Sequence, residues 1–200
     1  MLDFVFSIAV LIMSVVIHEV SHGLAANALG DPTAKYEGRL TLNPLKHLDP
    51  VGSVLLPVFT YLIGGFIFGW AKPVHYNPYN LKNQRWGPAL VGGAGPASNI
   101  FVALVFAALL RAFSASAPEP LAAIFTTIVF VNILLAVFNL VPIPPLDGSK
   151  VLFALLPDTF HRLQAVLEQY GFMILLLFIF VLWRYLIPLV FLLFKFFVGA

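Results

Sequence analysis

The feature that most limits what this chain can fold into is an apolar run from Leu2 to Leu29 that carries His18, Glu19 and His22 in its second half. As a helix rising about 1.5 Å per residue, the run is long enough to cross a hydrocarbon layer of about 30 Å. Ionisable groups at that depth cost a few kcal/mol each, so they face a protein interior or a watery cavity. The three residues form H-E-x-x-H. Residues four apart on a helix lie nearly one above the other, so His18 and His22 can hold one metal ion from one face. Glu19 is turned about 100° from His18, which suits it to take a proton from an attacking water rather than to be a third ligand. The bland alternative is a wet helix end with hydrogen-bonded histidines.

Composition supports the membrane reading. Of 200 residues, 60% are hydrophobic and 10% charged, where soluble domains are about one-quarter charged. The chain is expected to be an all-α polytopic membrane protein in contact with the lipid bilayer. A net charge of +2 spread over loops argues against a nucleic-acid partner. There are no cysteines, which removes thiol nucleophiles, disulfides and thiolate ligands together. Ala26-Asn27-Ala28 has the small-x-small form of a signal-peptidase site. Asp3 and the absence of Lys or Arg before the run argue instead for a retained helix.

Gly30 is a natural C-cap, and Asp31-Pro32 stops the helix. Residues 34–42 have short-strand character, with partial alternation at Tyr36, Leu40 and Leu42. Residues 51–69 are apolar but contain Pro57 and Gly64-Gly65. Residues 72–80 carry Pro73 and Pro78 and read as extended. A second spanning helix is expected from about Pro88 to Arg111. Its first half, Gly92 to Asn99, is built of small residues that let backbones approach closely. Another helix runs from about Leu121 to Val141. Three of residues 142–145 are proline, so that stretch cannot be regular helix. Residues 149–169 are an amphipathic connector. The last apolar stretch, Tyr170 to Val198, is read as one spanning helix and a shorter piece.

Eight of the eleven Lys and Arg lie in 30–50, 70–87 and 149–169. The positive-inside rule puts these segments in the cytoplasm, with the N-terminus outside. Equal basic charge on both sides of 51–69 then predicts a re-entrant or surface-lying segment.

A catalytic zinc usually takes three protein ligands. Asp31, His47, Asp49, His75, Asp147 and His161 are the candidates for the third. Asp147 fits best, because it follows the irregular proline-rich segment at the same membrane side and similar depth as His22.

Three motifs occur in order: His18-Glu19-x-x-His22, Gly95-Pro96-x-x-Asn99, and Asn139-x-x-Pro142-x-Pro144-x-Leu146-Asp147-Gly148. Together they resemble the site-2 proteases, intramembrane zinc metalloproteases, and in particular the small prokaryotic branch without PDZ or CBS domains. The resemblance covers about residues 18–148. It implies one Zn²⁺ held by His18, His22 and Asp147, with Glu19 as general base. It implies that Asn139 and Asn99 contact substrate or steady the site. It further implies a small membrane-associated β element from 34–42 and 72–79, which receives an unwound transmembrane substrate. One membrane-embedded domain over 1–200 is expected, with its core in 1–148 and a helical segment in 149–200. Its place would be a prokaryotic cell membrane, with the active site near the cytoplasmic side.

Other classes fit worse. No G-x-S-G marks a serine nucleophile, and Ala28 breaks the G-x-G-D pattern of an aspartyl type before Asp31. A metal transporter needs ligands relayed across the membrane, and the outer half offers only Asp3 and Glu119. An inactive metal-binding relative is free to lose Glu19, which is present.

Overall fold

The computed structural model describes residues 2–55, 59, 62, 72–113 and 118–199. Of the described residues, 79% are helical. Helix α1 spans Leu2–Ala28. It ends at Gly30, whose φ of 113° turns the chain so that Asp31 N–H reaches the Ala26 carbonyl at 2.9 Å. A side chain is strained at that φ, which is why a glycine stands there. A helical turn, α2 (Thr33–Tyr36), follows.

Helix α3, Gly87–Phe113, is the centre of the bundle. It packs against α1, against α4 (Glu119–Asn139), and against α5 (Asp147–Leu155). Its small residues allow this. A Cβ at Gly92 would lie 3.1 Å from the Asp147 carbonyl, so glycine lets α5 come close. Between α4 and α5 the backbone is irregular, as three prolines dictate, and is held by short turn bonds such as Leu146 N–H to the Ile143 carbonyl at 2.9 Å.

The C-terminal stretch begins earlier than its hydropathy suggests. Helix α6 (His161–Leu177) passes through a π-helical turn (Phe178–Leu182) into α7 (Trp183–Val198). Among the described residues, four helical runs are long and apolar enough to cross a membrane: Val5–Ala28, Gly87–Phe113, Glu119–Asn139 and His161–Val198. The second half of α3, with α4 and α7, forms an apolar core of Ala103, Ala107, Val129, Ile133 and Val190. The first half of α3 faces α1 and α5, is built mostly of small residues, and ends at the buried Asn99.

Two expectations meet corrections or limits. The small β element is absent: no strand occurs among the described residues. Residues 33–36 are helical because Tyr36 N–H and Glu37 N–H bond back to Pro32 and Thr33, and Gly38 at φ 65° completes the turn. Two of the three alternating residues, Tyr36 and Leu42, are exposed, so no buried face selected a strand register. Residues 72–77 form no regular element, and their amides bond outside any ladder. Lys72 N–H donates to the His47 carbonyl, Val74 N–H to Glu19, and Asn77 N–H to Asp31. The expected re-entrant segment, 51–69, falls largely outside the described residues. Its flanks at His47 and Lys72 are joined by that 2.8 Å bond.

Candidate metal centre and active site

His18 and His22 project from α1 one turn apart, their rings edge to face with centroids 4.7 Å apart. Each ring is fixed by its Nδ1. The Nδ1 of His22 lies 2.7 Å from the Val91 carbonyl on α3. A carbonyl only accepts, so this nitrogen carries the proton. The Nδ1 of His18 lies 2.6 Å from Asn99 Oδ1. The Asn99 amide nitrogen donates to the Ser14 carbonyl at 3.2 Å and to Asn132 Oδ1 at 2.8 Å. With both donors spent, the oxygen of Asn99 must face His18 and accept from it. Asn132 in turn donates to Ser14 Oγ at 2.9 Å and to the Ile128 carbonyl. Ser14, His18, His22, Asn99 and Asn132 are all buried, and such a network fixes tautomers where water is scarce.

Both imidazoles therefore present an Nε2 lone pair in the neutral state. These lone pairs meet Asp147 Oδ2 at 3.0 Å and 3.1 Å. Three electron-rich atoms converge with no proton of their own between them, and a cation resolves the repulsion. The separations are near the edge of about 3.3 Å expected between ligands of a tetrahedral zinc with bonds of about 2.0–2.1 Å. The donor set thus fits a zinc ion. Among the described residues, these three are the one group with metal-ligand character, and all three are buried.

Asp147 is presented by local structure. The prolines keep 142–145 out of helix, and α5 then starts at Asp147. Its Oδ1 accepts from Lys150 Nζ, one turn on, at 3.0 Å. A Cβ at Gly148 would run into the Leu140 carbonyl. Gly95 does the same service for the histidines: a Cβ there would stand 2.6 Å from both rings.

Glu19 is not a member of the ligand group but lines the same cavity. Its Oε2 accepts Val74 N–H at 2.8 Å. Glu19, the cluster, Pro73, Val74, Tyr76, Asn139, Pro145 and Lys150 line a cavity of about 160 Å³. Burial pushes the Tyr76 phenol up, with Lys150 opposing and Asp147 reinforcing.

Asn139 lines this cavity, but its amide donates to the Leu135 carbonyl at 3.0 Å rather than steadying Asp147. Lys150 has that partnership, which sequence reasoning missed. An i+3 cation after a suspected ligand aspartate was the available signal. The roles of Ser14, Val91 and Asn132 were also not foreseen, because they depend on helix pairing. The other third-ligand candidates lie elsewhere. His47 is buried with Nε2 on the Thr41 carbonyl at 2.9 Å. His75 is exposed, 3.8 Å from Glu37. Asp49 accepts from the Val51 and Gly52 amides. His161 begins α6. Asp31 is saturated by Thr33, Asn77 and Asn80.

A buried His-His-Asp cluster inside a bundle of apolar helices, with a carboxylate beside it, defines a membrane-embedded metal hydrolase. Residues 110–182 match the model of peptidase family M50. The chain is 40% identical over 173 residues to YwhC of Bacillus subtilis, covering 83% of this chain and 76% of that protein. It is 34% identical over 175 residues to Rip2 of Mycolicibacterium smegmatis, covering 86% of this chain and 65% of the relative. Both names assign these proteins, provisionally, as zinc metalloproteases. No solved structure matches the chain. The chain belongs to peptidase family M50, the site-2 proteases, and is a zinc-dependent metalloprotease of the membrane.

Proposed function

We propose that the protein hydrolyses a peptide bond in or near a transmembrane segment of another membrane protein, acting through one domain over 1–200. The observation that carries this is the burial of the His18, His22 and Asp147 donor set between apolar helices, beside a cavity that Glu19 also lines. His18, His22 and Asp147 hold the zinc. When bound, the ion polarises the scissile carbonyl and acidifies water toward a pKa of about 7. Glu19 takes the proton of the attacking water and delivers it to the leaving amine. Its Oε2 is held by Val74 N–H, which leaves the second oxygen for the proton. Asn99 and the Val91 carbonyl keep the histidine protons on Nδ1, away from the metal face. Asn139, on the cavity wall, is left to contact substrate.

The site lies at the cytoplasmic end of the bundle. Two bonds support this: Lys82 N–H donates to the Leu29 carbonyl, and Arg85 Nε to the Ala154 carbonyl. They gather the three basic segments at the end where α1 and α4 finish, as the positive-inside rule expects.

The test is cleavage of a synthetic transmembrane substrate by the purified chain, with and without chelator, beside Glu19→Gln. Chelator-sensitive cleavage that is lost in a zinc-loaded Glu19→Gln protein supports the reading. Zinc binding without cleavage of any membrane substrate would leave a metal-binding membrane protein instead.

A further inference from the structure

Next to the catalytic cavity lies a larger groove of about 620 Å³, within the range of about 300–1,000 Å³ typical of ligand sites. It runs between residues 76–88 and the α5–α6 connection. Tyr76 and Lys150 line both spaces, so the groove opens directly beside the chemistry. Phe153 and Phe160 supply apolar walls, and Arg85 and Glu168 also line the groove.

The charges are not equivalent. Lys150 is pinned by Asp147 at 3.0 Å, and its Nζ stands 5.7 Å over the Tyr76 ring. Its side chain is still 32% exposed. An ammonium has three donors, so two remain after Asp147. Arg85 uses Nε on the Ala154 carbonyl at 3.1 Å, and its Nη2 faces the Leu156 carbonyl at 3.5 Å. Its other nitrogen is available at the exposed rim. The wall's carboxylate, Glu168, already accepts from Gln164 at 3.0 Å. The groove therefore sets two cations with unspent donors, Lys150 and Arg85, against one carboxylate at Glu168, whose charge the neutral Gln164 amide does not cancel.

We propose that this groove binds the polar flank of the substrate polypeptide, and that Lys150 and Arg85 select a flank bearing acidic side chains. The proposal rests on the proteolytic reading above. A polypeptide is the occupant because the groove shares its Tyr76 and Lys150 walls with the catalytic cavity, so a chain held at the metal can run on past Lys150 into the groove. Selection follows from the same charges. Most transmembrane segments carry Lys or Arg on their cytoplasmic flank. Two fixed cations repel such flanks and admit the acidic minority, so discrimination comes from rejection as much as attraction.

The experiment uses the full chain in detergent and peptides with one common transmembrane span. A flank on either side carries paired Asp, Asn or Lys. Binding to zinc-loaded Glu19→Gln is read by fluorescence anisotropy, and cleavage by the unsubstituted protein is read alongside. Asp flanks should bind tighter than Lys flanks by on the order of 10-fold, with the gap narrowing as salt rises. Arg85→Glu should shrink or invert the preference. Arg85→Gln, which keeps donors for the Ala154 and Leu156 carbonyls, should reduce it if the glutamate variant misfolds. Equal affinities for the three flanks, or a preference untouched in a folded Arg85 variant, overturn the groove assignment. Cleavage indifferent to charge sinks this inference alone, whereas failure to cleave any peptide sinks the proteolytic reading and leaves the binding series to judge the groove.

Discussion

Asp31 and Asp147 are both buried aspartates just beyond the ends of membrane helices, with surface exposures of 0% and 6%. They do opposite work, and burial does not separate them. Asp31 receives donors on each oxygen. Thr33 Oγ at 2.6 Å, Thr33 N–H at 3.3 Å and Asn80 Nδ2 at 2.8 Å reach Oδ1, and Asn77 N–H at 2.7 Å reaches Oδ2. It ties the end of α1 to the 77–80 turn and needs nothing more. Asp147 Oδ2 faces two imidazole nitrogens whose protons lie on the far side of each ring. One carboxylate closes a structural knot; the other completes a donor set that fits a cation. Donor supply, not burial, distinguishes them.

The largest effect should come from Asp147→Ala, which removes the proposed ligand oxygen and leaves two histidines. Its activity should fall by more than the 10–100-fold typical of changes around a metal's own ligands. Near-normal turnover, measured on a membrane peptide, would erase the contrast with Asp31. Glu19→Gln should lower turnover by on the order of 10²–10⁴ while zinc content stays at the wild-type level. Loss of zinc in that variant would mean that Glu19 is a ligand.

Asn99→Ala probes the side of the comparison set by tautomers. Without its oxygen, nothing on α3 fixes the His18 proton on Nδ1. Zinc affinity should weaken by about 10–100-fold, read by competition with a chelator. Unchanged affinity would show that the Ser14–Asn99–Asn132 network merely fills the bundle.

Asp31→Asn should act on stability, not on the metal. An amide nitrogen placed against either the Asn77 N–H or the Thr33 and Asn80 donors should cost about 2 kcal/mol, while zinc binding persists. Burial raises the Asp31 carboxyl, but those hydrogen bonds more than offset it and hold its pKa below the ordinary value. The knot's contribution is then full above the unfolded value of about 3.9 and is lost as pH falls through the lower folded value. The melting temperature of the Asn variant should lack that acid-dependent part. The smallest effect is expected for His47→Ala and His75→Ala, which should retain zinc and turnover.

The difference between the two aspartates was only partly legible in sequence. His18, Glu19 and His22 were readable because helical period alone sets their relative directions. Asp147 stood out because Pro142, Pro144 and Pro145 forbid a helix before it. Asn99 could be noticed as a polar residue needing a partner, yet its bond to His18 spans 81 positions. The expected strand at 34–42 failed for the complementary reason. Tyr36, Leu40 and Leu42 suggest alternation, but Pro32 and Gly38 close a local turn before any partner strand is needed. Local rules predicted local geometry, and the tertiary polar pairs had no signature of their own.

The most direct test is zinc stoichiometry, measured by mass spectrometry on folded, purified wild-type, Asp31→Asn and Asp147→Asn proteins in parallel. About one ion per chain is expected in the first two, and a clear loss in the third. Zinc retained at full stoichiometry by Asp147→Asn, or lost equally from Asp31→Asn, would contradict the assignment of Asp147 as the carboxylate built for the metal.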